Sequence, residues 1–562
     1  MKIQVKEKSK SEKIFSAVFT LLIVTFIGMV FYINFSCNPE YYDGDIYNDI
    51  NYAKEAWKAK SIFPKNWIFG NQTYVVATPV LAALFYGIVG NGFTAMAIAS
   101  CIMTVLIVLT YDWMTGTLFS YNERMAGFLF LIGVLLLKAH VATSRQGIQA
   151  FFTMASYYAC YLINAFIVYG CYIRIRQKEF KKRQVIMAVI GVVLSFGTGM
   201  QSLRQTAVMA LPIVACEALM IIIYSIKDKK FAISYSTLFS AIVFVSNIAG
   251  LIAMKFIEIN QYTIYGTTSF TKDLKEVIQK ILTNIVYVAQ TFDFEALKFG
   301  FSLIISAVFM LIILIGFILC VKDFFKNKCT DQGRFVLVML LTLGCVSVFA
   351  AGVLIEVISR ALYYFMIYPL LAVCISYIIV KCEKKRGFLF SVVAVFAVGM
   401  IIFRTVGTVG EIKVGKDKNS TAHQIANYML DNGYDTIFSV FGLSGVTDGA
   451  ENVIVASDDK IHLVQYVEGD WTIPMRPVFY LCIKDEYKKW NNEKSLYLLR
   501  DYELPKVRQL TEEYGITMIE KAQFGDGVYL YSMSENVCAV SEKIFSKQQN
   551  DSSKIERKNR IL

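Results

Sequence analysis

The stretch TYVVATPVLAALFYGIVG, residues 73–90, decides the fold, because whether it crosses a membrane sets the side on which every later segment lies. It is apolar enough to pass for a span, yet the helix in it starts near Pro79 and the run stops at Gly90-Asn91-Gly92. Eleven other apolar runs are long enough to cross: 14–34, 92–113, 125–142, 150–173, 185–201, 206–226, 231–254, 299–321, 335–355, 361–380 and 388–404. Five basic clusters, at 2–13, 174–183, 227–230, 322–328 and 381–386, all fall on one side of the bilayer if 73–90 does not cross. Short basic loops belong in the cytoplasm. Residues 73–90 are therefore expected to form a juxtamembrane or re-entrant helix on the outer face, where broken backbone is tolerated when protein covers it. The alternative is a twelfth span, with a weaker one miscounted elsewhere.

Composition agrees with a chain that is mostly membrane. Of its 562 residues 56% are hydrophobic and only 18% charged, and the mean hydropathy is +0.50. The run 14–34 is too long for a signal-peptide core and lacks a small-residue cleavage site, so it is expected to stay as an anchor behind a cytoplasmic leader, 1–13. A net charge of +12 raises nucleic acid as a partner, but Lys and Arg lie between apolar runs rather than on a soluble face, and no nucleic acid is expected. Twelve cysteines show no CxxC or Cys/His ligand spacing. Most, among them Cys101, Cys160, Cys216 and Cys345, sit in apolar segments and pack as small hydrophobes. Cys37, Cys482 and Cys538 are expected outside, where Cys482 and Cys538 are a candidate disulfide pair.

The expected architecture is a polytopic α-helical membrane domain, 14–404, with about eleven transmembrane helices and an acidic outer loop at 35–91. An extracytoplasmic α/β domain, 405–540, and a disordered tail, 541–562, follow. In the α/β domain the patterns predict a helix at 422–431, strands at 436–441, 453–456, 477–483 and 528–532, and a helix over 484–499. No internal repeat is present.

Chemistry-bearing residues gather on the expected outer side. Arg145, Arg204 and Arg360 each stand at the outer end of a crossing, with Lys138 and His140 at the same boundary. An Arg at mid-bilayer costs ~2.5–3.5 kcal/mol and much less at the interface, so three call for partners. Each alone is also explained by snorkelling or by a nearby carboxylate, as Glu356 for Arg360. Three on one face fit a phosphate, whose oxygens match the guanidinium fork. His140, His423 and His462 offer no metal spacing.

The first outer loop, YYDGDIYNDIN (41–51), adds Asp43, Asp45 and Asp49. A carboxylate beside a cationic, partly dry pocket is a candidate general base, whereas the same DGD is also read as an ordinary solvated turn. An EF-hand is excluded, since its twelve-residue ligand pattern is missing.

The order of these parts resembles the GT-C superfamily of integral membrane glycosyltransferases, particularly bacterial relatives of the protein O-mannosyltransferases and the aminoarabinose transferases. The resemblance rests on YYDGDIYND, on ALFYGIVGNG before the next span, on arginines at outer helix ends, on SRALYYFMIYP and on the C-terminal YMLDNGYDTIFSVF and MRPVFYL. It implies an inverting glycosyltransferase at the cell membrane that takes a sugar from a polyprenyl-phosphate donor for a cell-envelope acceptor. It maps the base onto Asp43 or Asp45 and the lipid-phosphate contact onto cationic outer positions, Arg360 first, then Arg145, Arg204 and Lys138. The chain departs from the superfamily's usual Asp-Glu pair by reading Asp-Gly-Asp. Some members use a divalent metal, Mg or Mn, and others do not; with no His or third ligand at hand, metal-independent action is expected. Two other readings stay open: a polysaccharide polymerase or ligase, and a transporter or flippase without transferase activity.

Overall fold

The computed structural model describes residues 10–36, 44–138, 158–178, 182–228, 233–262, 270–271, 273–292, 301–327, 329, 332–355, 360–415, 417–441, 450–467, 475–525 and 527–547. Eleven long helices run alternately between two ends of one bundle. They are α1 (Lys10–Phe35), α4 (Gly92–Thr115), α5 (Tyr121–Lys138), α6 (Ala159–Arg176), α7 (Lys182–Gln201), α8 (Leu211–Asp228, entered through a π-helical turn, Thr206–Ala210), α9 (Tyr235–Met254), α11 (Phe301–Lys326), α12 (Gln332–Leu354), α13 (Ile367–Lys381) and α14 (Arg386–Gly415). Among the described residues nine helical segments are long and apolar enough to cross a membrane; α5 and α6, of 18 residues each, lie in two further stretches where crossings are expected. The chain is a multi-pass membrane protein.

Three shorter helices do not cross. They are α2 (Gly44–Ala59), α3 (Thr78–Val89) and α10 (Leu274–Gln290). The decisive stretch divides as Pro79 and Gly90 require. Pro79 occupies the first helical turn of α3, and Gly90, at φ +70°, caps its C-terminus, its N–H donating to the Tyr86 carbonyl. At 12 residues α3 is about 18 Å long, well short of a ~30 Å hydrocarbon core. Asn91 then caps α4 by accepting from the Thr94 N–H.

The first loop, the segment after α9 and the C-terminal domain meet in a three-stranded sheet. In it β1 (Trp67–Phe69) pairs in parallel with β2 (Asn260–Gln261) and antiparallel with β6 (Cys482–Ile483). These contacts mark one end of the bundle, the domain end. The C-terminal domain itself is a six-stranded sheet with β5 (Arg476–Pro477), β4 (His462–Val467), β3 (Thr436–Val440), β7 (Ser495–Arg500), β9 (Val528–Met533) and β8 (Met518–Phe524) in that order. Strand β3 runs parallel to both β4 and β7. Helices α15 (Thr421–Asp431) and α16 (Ala450–Ala456) supply Ile425, Met429, Val453 and Ile454 to one face, in a core continuous with the membrane bundle; α17 (Leu504–Glu513) packs Val507 and Leu510 on the other.

The expected strand at 453–456 is instead the body of helix α16, because Val453 and Ile454 face the sheet and packing overrides their β-branched preference. The expected helix over 484–499 is a single 3-10 turn, Glu486–Lys489, followed by β7. Strand β7 is buried on both faces, so its apolar run shows no alternation to read. Over 477–483 the backbone forms only the short strands β5 and β6. The chain is helical over 537–547, so part of the expected disordered tail is ordered: Ile544 packs on the domain core and Phe545 lies 3.3 Å from the Arg476 guanidinium. Residues 548–562 lie outside the described residues. The candidate Cys482–Cys538 disulfide is absent: both are buried free thiols, Cys482 donating to the Val478 carbonyl. Cys37 lies outside the described residues.

Candidate active site

Arg204 stands in the turn between α7 and the π-helical turn, and its surroundings are built from the decisive stretch. Helix α7 ends at Gln201, where its last carbonyls need partners. Thr73 supplies them, its N–H donating to the Gln201 carbonyl at 3.1 Å and its hydroxyl to the Met200 carbonyl at 2.9 Å. In return the Gln201 side-chain oxygen accepts the N–H groups of Val75 and Val76. Residues 72–76 are thereby laid across the end of α7 instead of entering the bundle. The Ser202 hydroxyl accepts the Arg204 N–H at 3.2 Å and closes the turn.

Among the described residues the Arg204 side chain meets only neutral groups. Nη1 donates to Gln72 Oε1 at 2.7 Å and Nη2 to the Tyr363 hydroxyl at 3.5 Å, with the Tyr363 and Tyr158 rings 4.9 and 5.4 Å from the guanidinium. Tyr161 shares a 2.7 Å hydrogen bond with Ser202 and takes a further one from Gln201. Among the described residues no carboxylate lies within 4.0 Å of Arg204. The adjoining Gln205 is fully buried, and neither end of its amide meets a partner among the described residues. Arg360 reaches the same place along the chain. It caps the 3-10 helix Ala361–Tyr364, and its carbonyl accepts the N–H of Tyr363.

Of the first-loop carboxylates, Asp43 lies outside the described residues, and Asp45 stands in the first turn of α2, its side chain outside the description. Asp49, one turn further along α2, is fully buried and accepts from the Tyr74 hydroxyl at 2.6 Å. Tyr74 packs edge-on to Tyr52, whose own hydroxyl donates to the Ile62 carbonyl. Burial, with Asp49 beside it, pushes the Tyr52 hydroxyl pKa up, so that phenol stays a donor. From Asp49 the chain runs through Tyr74 to Gln72, hence to Arg204. Glu55 is engaged elsewhere: burial raises its carboxyl, but hydrogen bonds from Lys58 and Asn66 outweigh that and hold it below its ordinary value. Lys54 pairs with Asp459, and Asn91 with Asp458, which seats the C-terminal domain on α2 and α4.

Two solved structures are similar to this chain. Against the crystal structure of ArnT from Cupriavidus metallidurans in the apo state the TM-score is 0.49 at 12% identity, covering 92% of this chain and 98% of that one. Against ArnT from the same organism bound to undecaprenyl phosphate the TM-score is 0.48 at 11% identity, with the same coverage. No protein-family model matches the chain, and no curated protein matches it.

Arg145 and His140 lie outside the described residues. Lys138 is the last residue of α5, and its side chain is outside the description. No group of three His, Cys, Asp or Glu side chains that could hold a metal is present among the described residues. Gln72, Tyr158, Tyr161 and Gln205 were not among the residues singled out in the sequence. Neutral side chains at helix ends carry no charge or spacing signal, and only Tyr363 stands in a quoted segment, SRALYYFMIYP.

Proposed function

We propose that this protein is a membrane glycosyltransferase that passes a sugar, with inversion, from a polyprenyl-phosphate donor to a cell-envelope acceptor on the outer face. The observation that carries the reading is the guanidinium of Arg204, at the end of the bundle and without a carboxylate partner among the described residues. A cation so placed suits an anionic ligand, and the planar fork of Arg matches two phosphate oxygens.

In the reaction an acceptor hydroxyl or amine attacks the anomeric carbon as its bond to the phosphate oxygen breaks. The electron pair leaves with the phosphate, whose charge Arg204 and Arg360 stabilise, aided by Arg145 and Lys138. The acceptor's proton passes to a first-loop carboxylate, Asp43 or Asp45. Asp49, already committed to Tyr74, is a positioning residue that anchors α2 to the segment bearing Gln72. One carboxylate suffices for a single inverting displacement, so Mg or Mn is not required. The short basic loops at the far end favour a cytoplasmic position for that end, with the C-terminal domain outside.

The test uses purified protein with a polyprenyl-phosphate sugar donor. Arg204→Gln and one of Asp43→Asn or Asp45→Asn are expected to abolish sugar transfer while the protein still elutes as a folded species. Donor turnover unchanged in Arg204→Gln would remove the phosphate site. A wild type that moves lipid across vesicles, and transfers no sugar, makes the chain a transporter.

A further inference from the structure

Helix α10 is divided lengthwise into three sectors. At about 100° per residue, Leu274, Ile278, Leu282 and Ile285 fall within about 80° of one another, and they are 72%, 52%, 60% and 52% exposed. Beside this stripe lies a second exposed sector, polar, with Lys275, Gln279 and Thr283. The third sector faces protein. There Asn284 accepts from the Tyr364 hydroxyl at 2.6 Å, Lys280 donates to the Ile355 carbonyl, and Thr291, just past the helix, donates to the Ala361 carbonyl.

We infer that α10 lies in the plane of the bilayer surface, with the stripe Leu274, Ile278, Leu282 and Ile285 immersed in lipid acyl chains. A helix wholly in water would not keep four large apolar side chains half bare in a line, and a crossing helix would not keep a polar sector. The stripe also continues an apolar belt already assigned to the membrane: α11, next in the chain, exposes Ile304, Val308 and Leu311, and α12 exposes Leu354 beside the Phe270–Ile355 bridge that leads into α10. Lipid is therefore the occupant. Because the protein-facing sector holds Ala361 and Tyr364, the helix anchors the segment carrying Arg360 and Tyr363 at a set depth in the membrane.

The test is spin-label accessibility of the full chain reconstituted in phosphatidylethanolamine and phosphatidylglycerol vesicles. Single nitroxides replace Ile278, Leu282, Gln279 or Thr283 through introduced cysteines, with unlabelled-site protein as background. Val308 serves as the lipid reference and Tyr502, exposed on the C-terminal domain, as the water reference. Labels at 278 and 282 are expected to show a severalfold higher ratio of oxygen to nickel-chelate collisions than labels at 279 and 283, close to the value at 308. Ratios at 278 and 282 equal to that at 502 would place the stripe in water. Labels there shielded from both reagents would mean that protein, such as a second copy of the chain, covers it. Either result overturns the inference.

Discussion

Arg176 at one end of the bundle and Arg204 at the other are held in opposite ways. At the far end four cations are answered by carboxylates of the chain itself, Arg176 by Glu217 at 2.5 Å, Arg124 by Asp112, Arg386 by Glu123 and Lys381 by Asp323, while Arg174 and Arg334 donate to backbone carbonyls. Glu217 is further saturated by the hydroxyls of Tyr172, Ser234, Ser236 and Thr237. At the domain end Arg204 is held by an amide oxygen, a phenol and two aromatic rings. These groups orient a guanidinium without neutralising it. The Arg176 site is thus electrostatically closed and serves the fold, whereas Arg204 has no carboxylate among its described neighbours, the feature on which the proposed donor site rests.

The largest effect that sharpens this contrast is at Glu217. Replacing it with Ala strands Arg176 among buried groups and should cost about 3–5 kcal/mol, read as a lower melting temperature with the donor KM of the surviving protein unchanged. Arg204→Gln is the mirror case: transfer is lost, and the melting temperature holds or rises, because the change removes a buried charge with no carboxylate among its described neighbours. A large stability loss in Arg204→Gln would break the comparison. Arg204→Lys keeps the charge and loses the fork. With a hydrogen bond to a charged group worth about 1.5–3 kcal/mol, apparent donor affinity should fall about 10- to 150-fold in steady-state kinetics.

A smaller effect concerns the wall beside the site. The Trp57 ring of α2 lies against Gly87 of α3, where an added Cβ would stand 2.2 Å away, with Lys60 over the ring at 3.2 Å. Gly87→Ala should therefore push α2 off α3 at about 1–3 kcal/mol, detected by thermal unfolding and by faster proteolysis of the first loop. Smallest is Glu451 in the C-terminal domain. Burial raises its carboxyl above the ordinary glutamate value, with Gln465 only partly offsetting this. A raised folded pKa contributes stability that is present below the ordinary value and lost as pH rises through the shifted one. Glu451→Gln should then match the wild type in acid and exceed it at neutral pH; parallel melting curves across that range would show that the carboxyl does not titrate with folding.

Most of the membrane architecture was legible because the bilayer leaves few solutions. Apolar length, Pro79, Gly90 and the five basic clusters were enough to locate the nine described segments that are long and apolar enough to cross and to mark 73–90 as holding only a short helix. Less could be read from the C-terminal domain, where β7 is buried on both faces and VIVA in α16 is helical only because the sheet lies beneath it. The amphipathic pattern at 274–290 went unread inside a long loop, since a helix pressed on protein, lipid and water at once has three faces where the simplest pattern has two. In the site, Arg204 and Arg360 were visible as charges out of place, while their neutral partners were not.

By itself the sequence determined what the membrane enforces: which segments are apolar, how long they are, and where cations gather, since each is a local property of composition. Only the tertiary structure decided that residues 72–76 lie across the end of α7, that Gln72, Tyr158 and Tyr363 from three distant segments surround one guanidinium, and that no described carboxylate joins them. A charge's counter-ion is a matter of proximity in space, and in this chain the described partners of the Arg204 guanidinium lie 46 to 159 residues away along it.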